Sequence, residues 1–422
     1  MKPVRYVLVG TGSRGLGMFA RPLCTEFPKT ARLVGVYDIN PLRAAAAVSE
    51  LPQKVPIYTS FARMIREARP DGIIVASKDC THARYIVAGL RHGLRVISEK
   101  PLCTTVAQCR QILAAARKSK GTCLVTHNAR YGAAAMAIRS VLRSGRLGRI
   151  LFLQYEETLD RCHGADYFRR WHRYMANTGG LLVHKACHHF DLLNWWVGAK
   201  PVWVSAQGAL RFYGANGPFH HTRCRGCPHA RKCEFHADMF KLERYRKLYL
   251  EAESADGYWR DGCVFDPSID IYDQMGVLIR YANGVQVNYS LTAYSPYESE
   301  RVVIEGTEGR LEYFSRSNTG WVVDSRPIPG IEELVTEQLR LYLPRKGVVE
   351  VPIRRRKGGH GGADPQLRAD FFGPARRSAD VGQMATLEEA VQAVLIGLAA
   401  NRSIRTGRPV EPQRLLGRVA AR

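Results

Sequence analysis

The densest run of proton-handling side chains in this sequence is His184, Lys185, His188, His189 and Asp191, within GGLLVHKACHHFDLLNWWVG at 179–198. Apolar residues recur there at three- and four-residue steps from 181 to 197, which predicts one amphipathic helix opening after Gly179-Gly180. On such a helix His184, His188 and Asp191 share a face at i, i+4 and i+7, with Lys185 and His189 on the neighbouring stripe. Imidazoles titrate near neutrality, so two on one face are suited to moving protons to and from a bound substrate. His-x3-His is also the ligand spacing of a helical zinc hydrolase, where a general-base glutamate follows the first histidine. Here Lys185 stands in that place. It would repel a metal and cannot act as that base.

A second constellation opens the chain. The apolar run VRYVLV ends in Gly10-Thr-Gly12-Ser13-Arg14-Gly15, a helical pattern follows to about Phe27, and a second strand, RLVGVYD, ends in Asp38. Strand, G-x-G-x-x-G turn, helix, strand and acid form the dinucleotide-binding arrangement. Gly10 allows the tight turn, Gly12 lets backbone approach a pyrophosphate, and Gly15 lets the helix pack on the strand. Asp38 would accept hydrogen bonds from ribose hydroxyls and repel a 2′-phosphate, which favours NAD over NADP. Arg14 either sits near the cofactor phosphates or is solvated.

The elements that must position these groups alternate regularly. Helices at 41–51, 60–68, 81–92 and 105–119 interleave with strands at 55–58, 71–77, 94–98 and 122–126, predicting a doubly wound parallel sheet. Ligands in such sheets bind beyond the carboxyl ends of the strands. Glu99-Lys100-Pro101 and Asn128-Ala-Arg130-Tyr131 fall at those ends, and the Lys-Pro step is a candidate cis bond. After about Gly132 the texture changes. A helix (133–144) and a strand (149–159) lead to a loop with His163, Asp166, Arg169, Trp171 and His172, then to the histidine helix and a strand at 201–210. From Ile269 the chain reads as an antiparallel meander, with Asn283-Gly284 as a hairpin turn and WVVDS as a late strand. A Gly-rich loop, GGHGGADP at 358–365, precedes a helix over 386–400. The fold class expected is an α/β N-terminal Rossmann domain, its parallel sheet doubly wound, followed by an α+β C-terminal domain with an open, mostly antiparallel sheet.

Composition narrows the partners. The 422 residues suffice for two domains with cores of their own, and 45% hydrophobic with 24% charged residues is the composition of a globular protein. No apolar run reaches the ~20 residues a membrane span needs, and the N-terminus lacks the apolar core and cleavage site of a signal peptide, so a cytoplasmic location is expected. The net charge of +24 arises mostly from dispersed arginines. Without a nucleic-acid motif it tilts at most toward anionic small molecules.

Eleven cysteines, most of them singly placed, suggest buried thiols rather than disulfides. Cys224-x-x-Cys227-x5-Cys233, with Cys263 later, stands apart, and four thiolates there would suit a closed structural zinc site. His229 or His236 are alternative fourth ligands. Free thiols or an iron–sulfur cluster are the other readings.

Taken together the chain resembles the Gfo/Idh/MocA oxidoreductases, the family of glucose–fructose oxidoreductase and inositol 2-dehydrogenase. GTGSRG at 10–15, Glu99-Lys100-Pro101, the GG…H…D stretch at 179–191, GTEGRLE at 306–312 and NRSIRTGRPV at 401–410 carry the resemblance over nearly the whole length. It implies an NAD-binding Rossmann domain at 1–128 and a substrate-binding and oligomerisation domain at 129–422, the latter carrying the cysteine-rich insertion at about 215–265. It implies a homodimer or homotetramer, and a carbohydrate substrate held between the open sheet and the nicotinamide. Lys100 matches the family lysine that orients the substrate hydroxyl and the nicotinamide, and His188 matches the usual acid/base. Where relatives commonly have an aspartate this chain has His184, so His184 either shares the proton traffic or the chemistry departs from ordinary alcohol oxidation. The cofactor set is Gly10, Gly12, Ser13, Arg14, Gly15, Asp38, Glu99 and Lys100. Candidate substrate contacts are Arg130, Arg169, Trp171, His172, Lys185 and His360, since an aromatic face suits a sugar ring and a cation an anionic group.

Two activities follow from one site. The first is NAD-dependent oxidation of a sugar, polyol or glycoside hydroxyl. The second is an NAD-dependent glycoside hydrolase, known among such enzymes, that oxidises a hydroxyl transiently, eliminates the glycosidic substituent, adds water and returns the hydride. It needs a second acid/base, which His184 would supply. A non-catalytic NAD sensor is the third reading, and the retained Lys100 and His188 argue against it.

Overall fold

A computed structural model describes residues 2–317, 330–374 and 383–417. The chain divides into two compact units, one of residues 1–131, 240–260 and 358–391, the other of 132–239, 261–357 and 392–422.

The first unit is built on six parallel strands, β1 (Val4–Val9), β2 (Ala31–Tyr37), β3 (Ile57–Tyr58), β4 (Gly72–Val75), β5 (Arg95–Ser98) and β6 (Cys123–Val125), in the order β3-β2-β1-β4-β5-β6. Helices cover both faces of such a sheet, so its central strands read as unbroken apolar runs, and all four residues of β4 are buried. The helices between strands begin on side chains that accept from the third residue on: Asn40 from Arg43 N, Ser60 from Arg63 N and Thr105 from Gln108 N. A helix at Ala363–Phe372 belongs to this unit as well. Its Phe372 meets Tyr6, Phe19 and Phe27, with ring centroids 5.3, 6.5 and 5.9 Å away.

The second unit carries an eight-stranded sheet of β7 (Ile150–Asp160), β8 (Pro201–Ala209), β9 (Gln274–Tyr281), β10 (Gln286–Ser295), β11 (Glu298–Gly306), β12 (Arg310–Ser317), β13 (Thr336–Leu343) and β14 (Gly347–Glu350). The order is β14-β13-β12-β11-β7-β10-β9-β8, and every pair is antiparallel except β7 with β10. On β9 Met275, Val277, Ile279 and Tyr281 are buried while Gly276, Leu278 and Arg280 are exposed, the alternation of a sheet with one face on the core. The doubly wound parallel sheet and the open, mostly antiparallel one are as the sequence predicts.

Three local expectations change. The predicted single helix over 181–197 is two, Leu181–His184 and Cys187–Val197. The amide of Ala186 reaches back five residues to Leu181 O (2.8 Å), which widens the turn and breaks the expected i, i+4 alignment of His184 with His188. The loop expected after β7 is instead a helix, Arg161–Arg169, started by Asp160, whose carboxylate accepts from His163 N at 2.8 Å. The GGHGGADP segment is a short turn of 3₁₀ helix running straight into the helix at Ala363–Phe372. WVVDS lies outside the described residues, and β13 and β14 were not anticipated.

Candidate active site

At the carboxyl end of β1 the backbone takes the shape that only glycine permits. Gly10 has φ +90°, and a Cβ there would lie 2.5 Å from Ala76 O, at the end of β4. A Cβ on Gly15 would lie 2.0 Å from Gly10 O. By contrast a Cβ on Gly12 would meet, among the described residues, only the Tyr249 hydroxyl, at 3.4 Å. The turn is thus closed where it packs and open where a pyrophosphate would approach, so these residues fit a dinucleotide. Asp38, at the end of β2, turns its carboxylate back on this turn: Oδ2 accepts from Thr11 N (2.7 Å) and Thr11 Oγ1 (3.0 Å), and Oδ1 from Asn40 N (2.9 Å).

The Glu-Lys-Pro motif follows β5, and the Lys100–Pro101 bond is cis. Glu99 is buried and binds on both oxygens, to Arg14 Nε at 2.7 Å and to the amide of Lys100 at 3.2 Å. Arg14 also reaches Asp364 Oδ2 at 3.3 Å. Asp364 in turn accepts from Asn128 Nδ2 (2.8 Å) and pairs with His360 Nδ1 (2.8 Å). Burial alone would raise the pKa of Asp364, but His360, Arg14 and Asn128 more than reverse that and hold it well below the usual carboxylate range. One charged network therefore joins the glycine turn (Arg14), the motif (Glu99), the end of β6 (Asn128) and the Gly-rich segment (His360, Asp364). His360, a candidate substrate contact by sequence, is a member of that network.

In the second unit His184 is buried in an aromatic box. Its ring centroid is 4.4 Å from His172, 5.5 Å from Tyr167 and 6.1 Å from Trp171, and Trp171 stacks on His172 at 3.7 Å. His188, one turn further on, is partly exposed. Lys185 is committed elsewhere: its Nζ lies 3.0 Å from Glu157 Oε1 on β7. Burial would lower its pKa, but the carboxylates of Glu157 and Glu298 and the Tyr167 phenol outweigh that and raise it, so it stays a cation. His189 bonds the Tyr289 hydroxyl (2.8 Å), lies 3.8 Å from Glu157 Oε2 and stacks on Tyr155, all structural contacts.

Besides Lys185 and His360, two further predicted substrate contacts have other work. Arg130 is fully buried and pairs with Glu389 at 3.3 Å. Arg169 is buried and donates to Cys224 Sγ (3.0 Å) and Phe235 O (2.8 Å). Trp171 and His172 do stand beside His184. Sequence reasoning missed Tyr167, Glu157 and Asp364. The first two sit in unremarkable helix and strand patterns, while the His-x3-Asp spacing of His360 and Asp364 is a signal that a helix reading of the Gly-rich segment would have exposed.

Cys224, Cys227, Cys233 and Cys263 line one cavity together with His236. No group of three or more histidine, cysteine, aspartate or glutamate side chains is placed to hold a metal ion among the described residues. The four cysteines therefore share a cavity without forming a ready coordination sphere among the described residues.

Comparison with known proteins gives the same picture. Residues 4–127 match the NAD-binding Rossmann-fold domain of the Gfo/Idh/MocA oxidoreductase family, and residues 139–411 match its C-terminal alpha/beta domain. YteT of Bacillus subtilis strain 168, named as a presumed oxidoreductase, is 33% identical over 424 residues, covering 96% of each chain. Inositol 2-dehydrogenase of Pseudomonas fluorescens is 29% identical over 189 residues, 44% of this chain and 53% of that one. Among solved structures, an Agrobacterium radiobacter oxidoreductase in complex with NAD+, L-tartaric acid and magnesium shares the fold with TM-score 0.67 at 13% identity, covering 98% of this chain and 99% of that one. The WlbA dehydrogenase of Bordetella pertussis, in complex with NADH and UDP-GlcNAcA, gives 0.64 at 18%, covering 97% and 98%. With both halves of the chain matched and a glycine turn shaped for a dinucleotide, the protein belongs to the Gfo/Idh/MocA family of NAD-binding oxidoreductases.

Proposed function

We propose that the protein transfers a hydride between a secondary hydroxyl of a sugar, polyol or glycoside and NAD, with Lys100 polarising that hydroxyl and His188 exchanging its proton. The observation that carries this reading is the network holding the Lys100 backbone: Glu99 grips its amide and is itself fixed by Arg14 of the glycine turn. A cation so anchored at the carboxyl end of a central strand stabilises a developing alkoxide. NAD supplies the hydride acceptor. Binding it falls to the glycine turn with Ser13, Arg14 and Asp38, and an imidazole at His188 is the base suited to neutral pH. The box of Trp171, His172 and Tyr167 around His184 presents aromatic faces of the kind that pack on a sugar ring. Lys100→Ala and His188→Ala should each lower turnover by about 10²–10⁴-fold while NAD still binds; activity at wild-type level in either would reject its role.

A redox-neutral glycosidase is the second reading, favoured by His184, a second imidazole in contact with His172. Release of aglycone from aryl glycosides without accumulating NADH supports it, and stoichiometric NADH with no release removes it. For the four cysteines the reading is a structural zinc, supported by their shared cavity. About one equivalent of zinc by elemental analysis, lost in Cys227→Ser, is expected, and folded metal-free protein refutes it. Assembly as a homodimer or homotetramer takes its test from light scattering.

A further inference from the structure

The segment Phe240–Arg260 comes from the cysteine-rich insertion, yet it packs with the first unit, against the glycine turn. The Tyr249 hydroxyl accepts from the amide of Ser13 at 2.8 Å, and it is the group met by a Cβ built on Gly12. Arg244 Nη2 donates to Ser13 O at 3.1 Å and lies 3.0 Å from where a Gly17 side chain would begin. The Arg244 Nε atom is buried without a hydrogen-bond partner. The segment is fastened from beneath by buried polar groups of the helix Pro41–Ser49 and its cap. Asn40 Nδ2 donates to Ala252 O (2.8 Å), and Arg43 donates to Leu248 O (3.2 Å) and pairs with Asp256 (2.9 Å) and Asp38 (3.4 Å). The Arg43 guanidinium also lies over the Tyr249 and Tyr258 rings, 5.7 and 5.8 Å from their centroids.

The amides after the glycine turn are the groups that grip a pyrophosphate, and the open side of Gly12 is where it approaches. Both are faced by Tyr249, with the Arg244 guanidinium beside them. A hydroxyl that accepts from an amide donates its own proton to a phosphate oxygen, and a guanidinium matches two of them. We propose that Tyr249 and Arg244 form a second wall of the dinucleotide site, flanking the glycine turn at Ser13, contacting the pyrophosphate beside that turn and slowing release of NAD. Because Arg43 and Asn40 anchor it, this wall is part of the resting fold. It suits a cofactor that stays bound through many turnovers, and so deepens the proposed function without choosing between its two chemistries. It rests on the turn binding NAD.

The test follows release of radiolabelled NAD from the holoenzyme into excess unlabelled NAD. Tyr249→Phe keeps the ring packing, and Arg244→Gln keeps length and polarity. Each should release NAD about 10-fold faster than wild type with the thermal midpoint unchanged, and each should weaken ADP-ribose binding by a similar factor, since the contact is to the pyrophosphate. Release at the wild-type rate overturns the proposal, as does slower release, which would mean that the Tyr249 hydroxyl competes with phosphate for the Ser13 amide. A loss confined to NAD and absent for ADP-ribose overturns it too. Wild-type protein that binds no NAD at all would instead remove the dinucleotide reading on which it rests.

Discussion

Asp364 is a buried carboxylate and Glu300 a half-buried one, and the two units treat them in opposite ways. Around Asp364, burial is outweighed by His360, Arg14 and Asn128, so the carboxyl is held ionised. Around Glu300 on β11, burial acts together with the nearby Glu157 carboxylate, and the pKa is pushed up to about 7, although the Tyr155 hydroxyl donates to it. The first unit sets Arg14, Asn128 and His360 around Asp364 and so keeps that carboxylate ionised. The second crowds Glu157, Glu298 and Glu300 around one lysine, Lys185, and so stores a proton that can come and go. Pattern and placement are the business of the cofactor unit, whereas proton capacity sits behind the histidine segment.

Three perturbations separate the two environments. Glu157→Gln leaves the Lys185 cation buried without its carboxylate and should cost about 3 kcal/mol in a denaturant titration, the scale of a broken buried pair. The double variant Glu157→Gln with Lys185→Met should recover most of that, and a double variant no better than the single would deny that the charge is the cause. Next comes Asp364→Asn, expected to cost about 2 kcal/mol at neutral pH. The Asp364 pKa is depressed in the folded protein, so its contribution is present above the ordinary carboxylate range and vanishes as pH falls. The gap between variant and wild type should therefore close in acid, and a gap independent of pH would contradict the charged network. The smallest effect is expected for Glu300→Gln. A raised carboxyl pKa makes wild type lose stability as pH climbs from the ordinary value of 4.5 toward about 7. Melting curves across that window should show the glutamine variant gaining on wild type, and parallel curves would mean that Glu300 titrates normally.

How much of this was legible in the sequence depends on whether the determinant is backbone or side chain. The glycine turn was readable because Gly10 and Gly15 answer a steric demand that no other residue meets. Both sheets were readable because apolar periodicity reports which faces are covered. The histidine segment was half readable: its composition marked it, but periodicity could not reveal that the Ala186 amide would bond Leu181 and split the helix. Partners distant in sequence were not readable at all. Nothing near Lys185 announces Glu157, and nothing near Arg130 announces Glu389. Arg169 and Arg130 illustrate the general difficulty. An arginine offered to a substrate and one spent on internal carbonyls, sulfur or carboxylate have the same one-letter code, and only burial tells them apart.

The aromatic contact of Phe372 with Tyr6, Phe19 and Phe27 bears on how such a gene can be cut and recombined. A fragment ending near residue 128 would retain every strand of the parallel sheet and the whole glycine fingerprint, yet would leave those three rings bare to water. The nucleotide-binding half is therefore not a transplantable cassette. Evolution can trade it between proteins only together with a helix encoded more than two hundred residues downstream, so the two halves of the sequence must be inherited as one piece.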